Sequence, residues 1–242
     1  MIDFKTRSDQ KELLDDYPGT ITQLAVVLKD IDRVNRLLGG NAITINAVFR
    51  LIQEHPRKSY TILDMGCAQG NMLRALAKTA RKRNIEVQLI GMDLNSDALT
   101  LARTASVNFP EITYYEKDIL KADFSDFACD IVITTLTLHH FKNSEILDFV
   151  QQFTKLASIG VVINDLHRSA IAYYLFKVFS LIFIKTKVAK VDGLTSIRRA
   201  FRKSELWALS KSLPHVDHEI SWKWAFRYVW IIRKKQQSSS YE

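Results

Sequence analysis

The run TILDMGCAQGNM, residues 61–72, restricts the fold more than any other part of the chain. A β-like stretch ends in an acidic residue, a turn with glycines at 66 and 70 follows, and a helical pattern then begins with Leu73, Leu76 and Ala77 on one side. A strand that passes through a glycine turn into a helix is the opening unit of a parallel sheet, because a parallel return needs a crossover. The theme then repeats. EVQLIGMD (86–93), EITYYEKD (111–118), CDIVITTLTL (129–138) and IGVVINDL (159–166) read as strands, with helices at about 96–107 and 144–157. Right-handed crossovers put such helices on both faces of the sheet.

The flanks differ. Residues 1–8 carry no period and are expected to fray. From Ile21 through Leu24, Leu28, Ile31, Val34 and Leu38 the apolar spacing is three and four, one face of a helix that Thr20 and Gln23 cap and Gly39-Gly40 ends. A second helix is expected at about 42–54. After the fifth strand come an apolar segment (171–184), a basic loop (185–205), a short helix near Leu206, and HEISWKWAFRYVWIIRKK, which reads as a hairpin whose alternating aromatics mostly pack on the sheet. QQSSSYE is expected to be a disordered tail.

Ligands of a parallel α/β sheet sit beyond the carboxyl ends of its strands. Asp64 ends the first strand, Asp93 the second, and Asp118 follows the third. A carboxylate in Asp93's place can accept hydrogen bonds from two ribose hydroxyls. A dinucleotide fits poorly: Gly66-Cys67-Ala68-Gln69-Gly70 is not GxGxxG, and Asp64 would repel a pyrophosphate. A phosphate-free, positively charged adenosine compound suits the turn better, and S-adenosylmethionine (SAM) is one.

Asp64-x-Gly66-x-Ala68-x-Gly70 resembles the acidic-x-Gly-x-Gly-x-Gly motif of class I SAM-dependent methyltransferases, with Ala68 in place of the middle glycine. YYEKDIL and CDIVITTLTLHHF resemble later motifs of that family, in order, over residues 58–166. The resemblance implies a Rossmann-like, seven-stranded, mostly parallel α/β sheet. It implies an N-terminal helical lid (1–56) and a methyltransferase domain (57–242) with 168–212 as a cap before the antiparallel C-terminal strands. It implies cofactor contacts from Asp64, Gly66, Cys67, Ala68 and Gly70, from Asp93 and Leu94 at the ribose, from Asp118 and Ile119 at the adenine, and from Thr135. ELLDDY, VNRLLGG, LTLHHF, INDLHRS and VDGLTSIRRAF are similar to a bacterial branch near the ubiquinone/menaquinone methyltransferases that accompanies polyketide or aromatic-lipid pathways. That likeness implies a phenolic, quinone-like or lipid-like acceptor, methylated on oxygen or carbon, in secondary metabolism.

His139, His140 and His167 are the candidate bases, since an imidazole titrates close to neutral pH. Packing beneath the cofactor is the competing role for either of the paired histidines. Asp165 and Arg168 follow the fifth strand on the ligand side; they read as a helix cap and a solvated charge, with an anchor for an anionic acceptor the alternative for Arg168. No metal spacing is present, so a metal-independent reaction is expected. Segment 171–184 is a buried cap, a pocket wall, or, with its flanking lysines to 190, a peripheral membrane contact. The net charge of +8 favours anionic partners, and Arg198, Arg199, Arg202 and Lys203 invite a phosphate. An RNA methyltransferase and a SAM-binding protein without turnover are therefore the rivals. Nucleic acid is not the expected partner, because no basic-aromatic interleaving of the stacking kind occurs. Two cysteines without CxxC spacing and no apolar leader point to the cytoplasm, with any membrane contact a peripheral one at the inner surface.

Overall fold

The computed structural model describes residues 2–119, 121, 122, 124 and 127–235. Two helices lead: α1 (Ile21–Leu37) and α2 (Gly40–Glu54). Then β1 (Ser59–Met65), α3 (Asn71–Lys82), β2 (Glu86–Asp93), α4 (Ser96–Ala105), β3 (Ile112–Glu116) and β4 (Cys129–Thr135) alternate as expected. A single 3-10 turn (Leu138–His140) precedes α5 (Asn143–Leu156) and β5 (Ala157–Leu166). Three helices, α6 (Ala170–Phe183), α7 (Lys187–Arg199) and α8 (Lys203–Lys211), lead to β6 (Val216–Lys223) and β7 (Arg227–Lys234).

The seven strands run in the order β3-β2-β1-β4-β5-β7-β6. The first five are parallel, and β7 pairs antiparallel with both β5 and β6. Neighbouring residues of a strand face opposite sides, so each strand feeds two cores. Ile62, Leu89, Ile131, Val162 and Ile231 pack with α2 and α3 on one face. Leu63, Met92, Val132, Val161 and Trp230 pack with α5 and α8 on the other. The sheet is thus covered on both faces, and its strand order reverses between β1 and β4, which opens a crevice there.

The expected seven-stranded architecture is present, and the differences lie at its edges. β4 stops at Thr135, three residues short of the expected end: the Leu136 N–H makes the last ladder bond, to Asn164 O at 2.9 Å, and its left-handed φ of 57° then turns the chain out of the sheet. The expected basic loop is α7, whose N-terminus is capped by the buried Asp30 of α1, bonded to the N–H groups of Lys185 and Thr186 at 2.9 and 2.7 Å. The expected lid segment divides: α1 packs on α4, α6 and α7 above the strand ends, whereas Val48, Phe49, Leu51 and Ile52 place α2 in the sheet core. Likewise α8 lies on the second face through Leu206. The tail at 236–242 is outside the described residues.

Residues 2–8 do not fray. Arg168 donates to Phe4 O and Lys5 O at 3.1 Å each, and Ser8 N–H donates to Arg198 O at 3.1 Å. Arg7 donates to Arg199 O, His139 O and Phe141 O at 2.7, 2.9 and 3.0 Å and covers the Phe201 ring. Charge-assisted bonds to backbone carbonyls hold this strap where apolar burial alone would not.

Candidate active site

The turn after β1 is fixed from β2. Gly66 and Cys67 donate their N–H groups to Met92 O at 2.8 and 3.0 Å. The Asp93 carboxylate accepts the N–H of Ala68 at 2.7 Å and that of Asn95 at 2.9 Å. Ala68 takes a left-handed φ of 45°, a conformation that glycine adopts more freely than alanine. Gly66 has φ 81°, and a Cβ there would strike Thr137. The turn therefore needs glycine at 66 both for its angle and for its contact with the β4 exit.

A cleft of about 1420 Å³ opens over these strand ends. Asp64, Gly66, Cys67, Ala68, Asp93, Leu94, Asp118, Ile119 and Thr135 all line it. Gly70 does not; it starts α3 in the left-handed region at φ 72°. Thr135 Oγ1 is bonded to Thr44 Oγ1 at 3.0 Å and so also ties β4 to α2. Cys67 is buried, and burial pushes its thiol well up, which leaves it inert.

Asp64 is the electrostatic centre of the cleft. Burial, with the nearby Asp93, pushes its carboxyl up to about 8, and its Oδ1 has no hydrogen-bond partner among the described residues. Burial also raises Asp93, against the pull of its backbone N–H bonds. A buried acid with an orphaned oxygen beside a half-buried one suits a ligand that brings positive charge and hydroxyl donors. SAM carries a sulfonium, an ammonium group and a ribose diol, so the residues present fit it.

The histidines sit at the exit of β4. His139 is buried; its Nδ1 lies 2.7 Å from Asp165 Oδ1, and its backbone N–H donates to Asp165 Oδ2 at 3.1 Å. Its Nε2 is 3.4 Å from Glu12 Oε1, out of line for a hydrogen bond. Burial opposes the charged imidazole, but Asp165 and Glu12 outweigh it and hold His139 up at about 9. His140 is half-buried, with Nδ1 3.0 Å from Asp15 Oδ1 and Nε2 3.8 Å from Glu12 Oε2. Ligand-type atoms of Glu12, His139 and His140 come within 4.8 Å of one another. At neutral pH the proton on His139 meets the charge of the surrounding carboxylates.

His167 lies apart from this pair: it is packed on Tyr228 and Phe226, and its N–H donates to Phe226 O at 2.9 Å. Arg168 and Arg199 are structural. Arg168 is 1% exposed and bonded to Phe4, Lys5, Ala200 and Glu205, so it is neither solvated nor open to an acceptor. Arg199 donates to His139 O, His140 O and Gln10 O at 3.1, 2.5 and 3.0 Å. Asp165 is no helix cap but the buried partner of His139. Sequence reasoning missed Glu12 and Asp15, whose only signal was an acidic patch in ELLDDY, and Arg227, which also lines the cleft.

Residues 62–160 match a family model described as a methyltransferase domain. This stretch is a methyltransferase domain. The match and the crevice together make the chain an S-adenosylmethionine-dependent methyltransferase, as the motif order implies. A search of curated proteins found no match to its sequence. Among solved structures, the methyltransferase is similar to the plantazolicin methyltransferase BpumL in complex with SAH at TM-score 0.69 and 15% identity, over 92% of this chain and 93% of that one. It is also similar to the magnesium protoporphyrin IX methyltransferase ChlM from Synechocystis PCC 6803 with bound SAH, at TM-score 0.57 and 14% identity, over 81% and 84%. The CMeT domain of the citrinin polyketide synthase aligns at TM-score 0.56 and 12% identity, over 74% of this chain and 47% of that one. These likenesses show a shared fold.

Two substitutions separate the roles of the acids. Asp64 keeps its proton in the folded protein up to about pH 8, whereas the unfolded chain gives it up near 3.8. Its contribution is therefore fully present below pH 3.8 and is lost as pH rises through 8. Asp64→Asn should melt higher than the unaltered protein at pH 8 without cofactor, with the gap closing towards pH 4, and should bind SAM more weakly. Melting curves across pH and calorimetry check both halves. Asp93→Ala should weaken SAM binding by about 2 kcal/mol through loss of charge-assisted hydrogen bonds; an unchanged affinity by calorimetry would rule out this ribose site.

Proposed function

We propose that the protein transfers a methyl group from SAM to an oxygen, or a carbon, of a small phenolic, quinone-like or lipid-like acceptor. The observation that carries this reading is the composition of the cleft. Beyond the acidic cofactor end its walls are Leu24, Leu28 and Ile31 of α1, Phe176 and Phe179 of α6, and Trp224 and Phe226 before β7. These walls suit an apolar acceptor, and α1, α6 and α7 form the cover that keeps water from the reacting atoms. Of the four basic residues that favoured an RNA substrate, Arg199 is turned inward and bonds backbone carbonyls, whereas Arg202 and Lys203 stay exposed at the start of α8 without an aromatic stacking platform among them.

Methyl transfer from a sulfonium is an in-line displacement, and the protein's work is to align the acceptor and remove its proton. His140 is the better base of the pair. It lines the cleft, its Nδ1 is held by Asp15 and its Nε2 makes no hydrogen bond among the described residues, lying 3.8 Å from Glu12 Oε2, while His139 already holds a proton and orients the 3-10 turn. Incubation of the protein with labelled SAM and a lipid-plus-metabolite extract, followed by mass spectrometry of the labelled product, tests the reading. In that assay His140→Ala should lower turnover by about 10²-fold with SAM affinity unchanged. Full turnover in the variant would remove His140 from the chemistry.

The outer face of α6 favours an acceptor that resides at a membrane. Ile171, Tyr174, Leu175, Val178, Leu181 and Ile182 are each at least half exposed, and the helix buries little beyond Ala172 and Ser180. Lys177, Lys185 and Lys187 flank this face. No helix among the described residues is long and apolar enough to cross a membrane, so contact would be with the surface. Because Phe176 and Phe179 of the same helix line the cleft, a lipid could pass from bilayer to active site without crossing water. Co-sedimentation with vesicles containing anionic phospholipid should be strong for the unaltered protein and lost in Leu181→Glu/Ile182→Glu. Equal sedimentation of the two would exclude α6 as the contact.

A further inference from the structure

Arg227 opens β7 and is 2% exposed. Strand alternation places it on the face of Val229 and Ile231, both core residues, so its charge is carried into the interior. Its guanidinium lies against the backbone of Gly40, where a Cβ would meet it at 2.8 Å, and Nη2 donates to Asn35 Oδ1 at 2.8 Å. Nε and Nη1 have no hydrogen-bond partner among the described residues. The carboxylate that acts on it through space, Asp165, is already bonded to His139. The other buried arginines are not like this: Arg168 and Arg199 are each surrounded by carbonyl and carboxylate acceptors.

An unpaired buried cation costs several kcal/mol, and burial holds this guanidinium down at about 10 against the pull of Asp165. The side chain also lines the cleft, beside Leu38, Asn41, Trp224 and Phe226. Asp64, Asp93 and Asp118 line the cofactor end of that cleft, and Lys142, exposed at the rim, is the other Lys or Arg among its lining residues. Arg227 lies two strands beyond β4, roughly 10 Å across the sheet, on the side away from β2 and Asp93. The cleft therefore has an acidic end for a cationic cofactor and, past the place where the acceptor must lie, a buried arginine; the proton on His139 is matched by Asp165, and Lys142 is exposed.

We propose that Arg227, held by Asn35 and Gly40, anchors an oxyanion, a carboxylate or phosphate-type group, on the methyl acceptor, so that the acceptor is an anionic amphiphile. A guanidinium with unpaired N–H groups on Nη1 and a second hydrogen on Nη2 can bond both oxygens of such a group once a shift of the side chain or of the residues over it brings them to the cleft. This rests on the methyltransferase reading for the identity of the ligand as acceptor. The same chemistry could come from the amino-acid carboxylate of the cofactor, and the test separates the two.

Calorimetry on the full chain measures SAH binding first, then titrates dodecanoate, 1-dodecanol and methyl dodecanoate into SAH-loaded protein. Dodecanoate should bind about tenfold tighter than the neutral probes, or better. Arg227→Gln should remove that preference and leave SAH affinity unchanged. Asn35→Asp, which keeps the arginine but gives it an internal carboxylate, should remove the preference as well and guards against a folding defect in the first variant. Equal binding of the three probes by the unaltered protein overturns the proposal, and so does a preference that survives both substitutions. A fall in SAH affinity in Arg227→Gln assigns the arginine to the cofactor's carboxylate and overturns it too. Failure of the unaltered protein to bind SAH is a separate result that counts against the methyltransferase reading; the same probe comparison in ligand-free protein then decides Arg227 alone.

Discussion

Two carboxyl groups at neighbouring strand ends, the buried Asp64 on β1 and the half-buried Asp93 on β2, set the terms for the rest of the molecule. Burial raises both, and the charge of Asp93 raises Asp64 further. A fold built only for stability would replace at least one with an apolar residue, because an uncompensated buried charge is expensive. Their persistence makes sense where a cation arrives to complete them. Asp93 has a second task, since the N–H groups of Ala68 and Asn95 converge on it and lock the β1 turn to the start of α4. The proposed ribose contact and the geometry of the turn would thus share one side chain.

The cover over this site is assembled by polar bonds more than by apolar area. Asp30 of α1 caps α7, Asp192 of α7 accepts the N–H groups of Leu13 and Leu14, and Arg7 and Arg199 bind the carbonyls around the histidine turn. The apolar clusters beneath α1 are small by comparison with the two sheet cores. Directional bonds between a few charged groups and backbone atoms can be broken and remade as a unit, whereas a packed core cannot. The proposed lid of α1, α6 and α7, opening for an acceptor and closing against water, would call for a cover of the first kind.

How much of this was legible in the sequence follows from the range of each interaction. The strands of the sheet, the glycine turn and the Thr20–Gln23 cap are written in residues that are close in sequence, and their boundaries agree with the structure to within a few residues. That Asp64, Asp93 and Asp118 share one cleft was legible for the same reason, since the first two sit at strand ends and Asp118 follows β3 by two residues. Residues 185–205 read as a loop because α7 is rich in Lys and Arg and has a weak apolar stripe; its helix is fixed by Asp30, 155 residues before Lys185. The strap at 2–16 has no period at all, and its carbonyls are held by an arginine more than 160 positions away. Glu12 therefore gave no sign of reaching His139.

Arg227 shows the middle case. Within WKWAFRYVW the alternation of a strand puts residue 227 on the same side as Val229 and Ile231, so the pattern of residues alone places a charge at a core-facing position. The pattern does not carry its meaning, because a buried arginine can equally be fully paired, as Arg168 demonstrates. Only the three-dimensional arrangement, with Asn35 from α1 on one nitrogen and no partner on two others among the described residues, separates a structural cation from one aimed at the cleft. Acid at the β2 side and base at the β7 side then give the cleft a direction. A molecule that presents positive charge enters at one end, one that presents negative charge is held from the other, and the two meet above the exit of β4, where His140 stands.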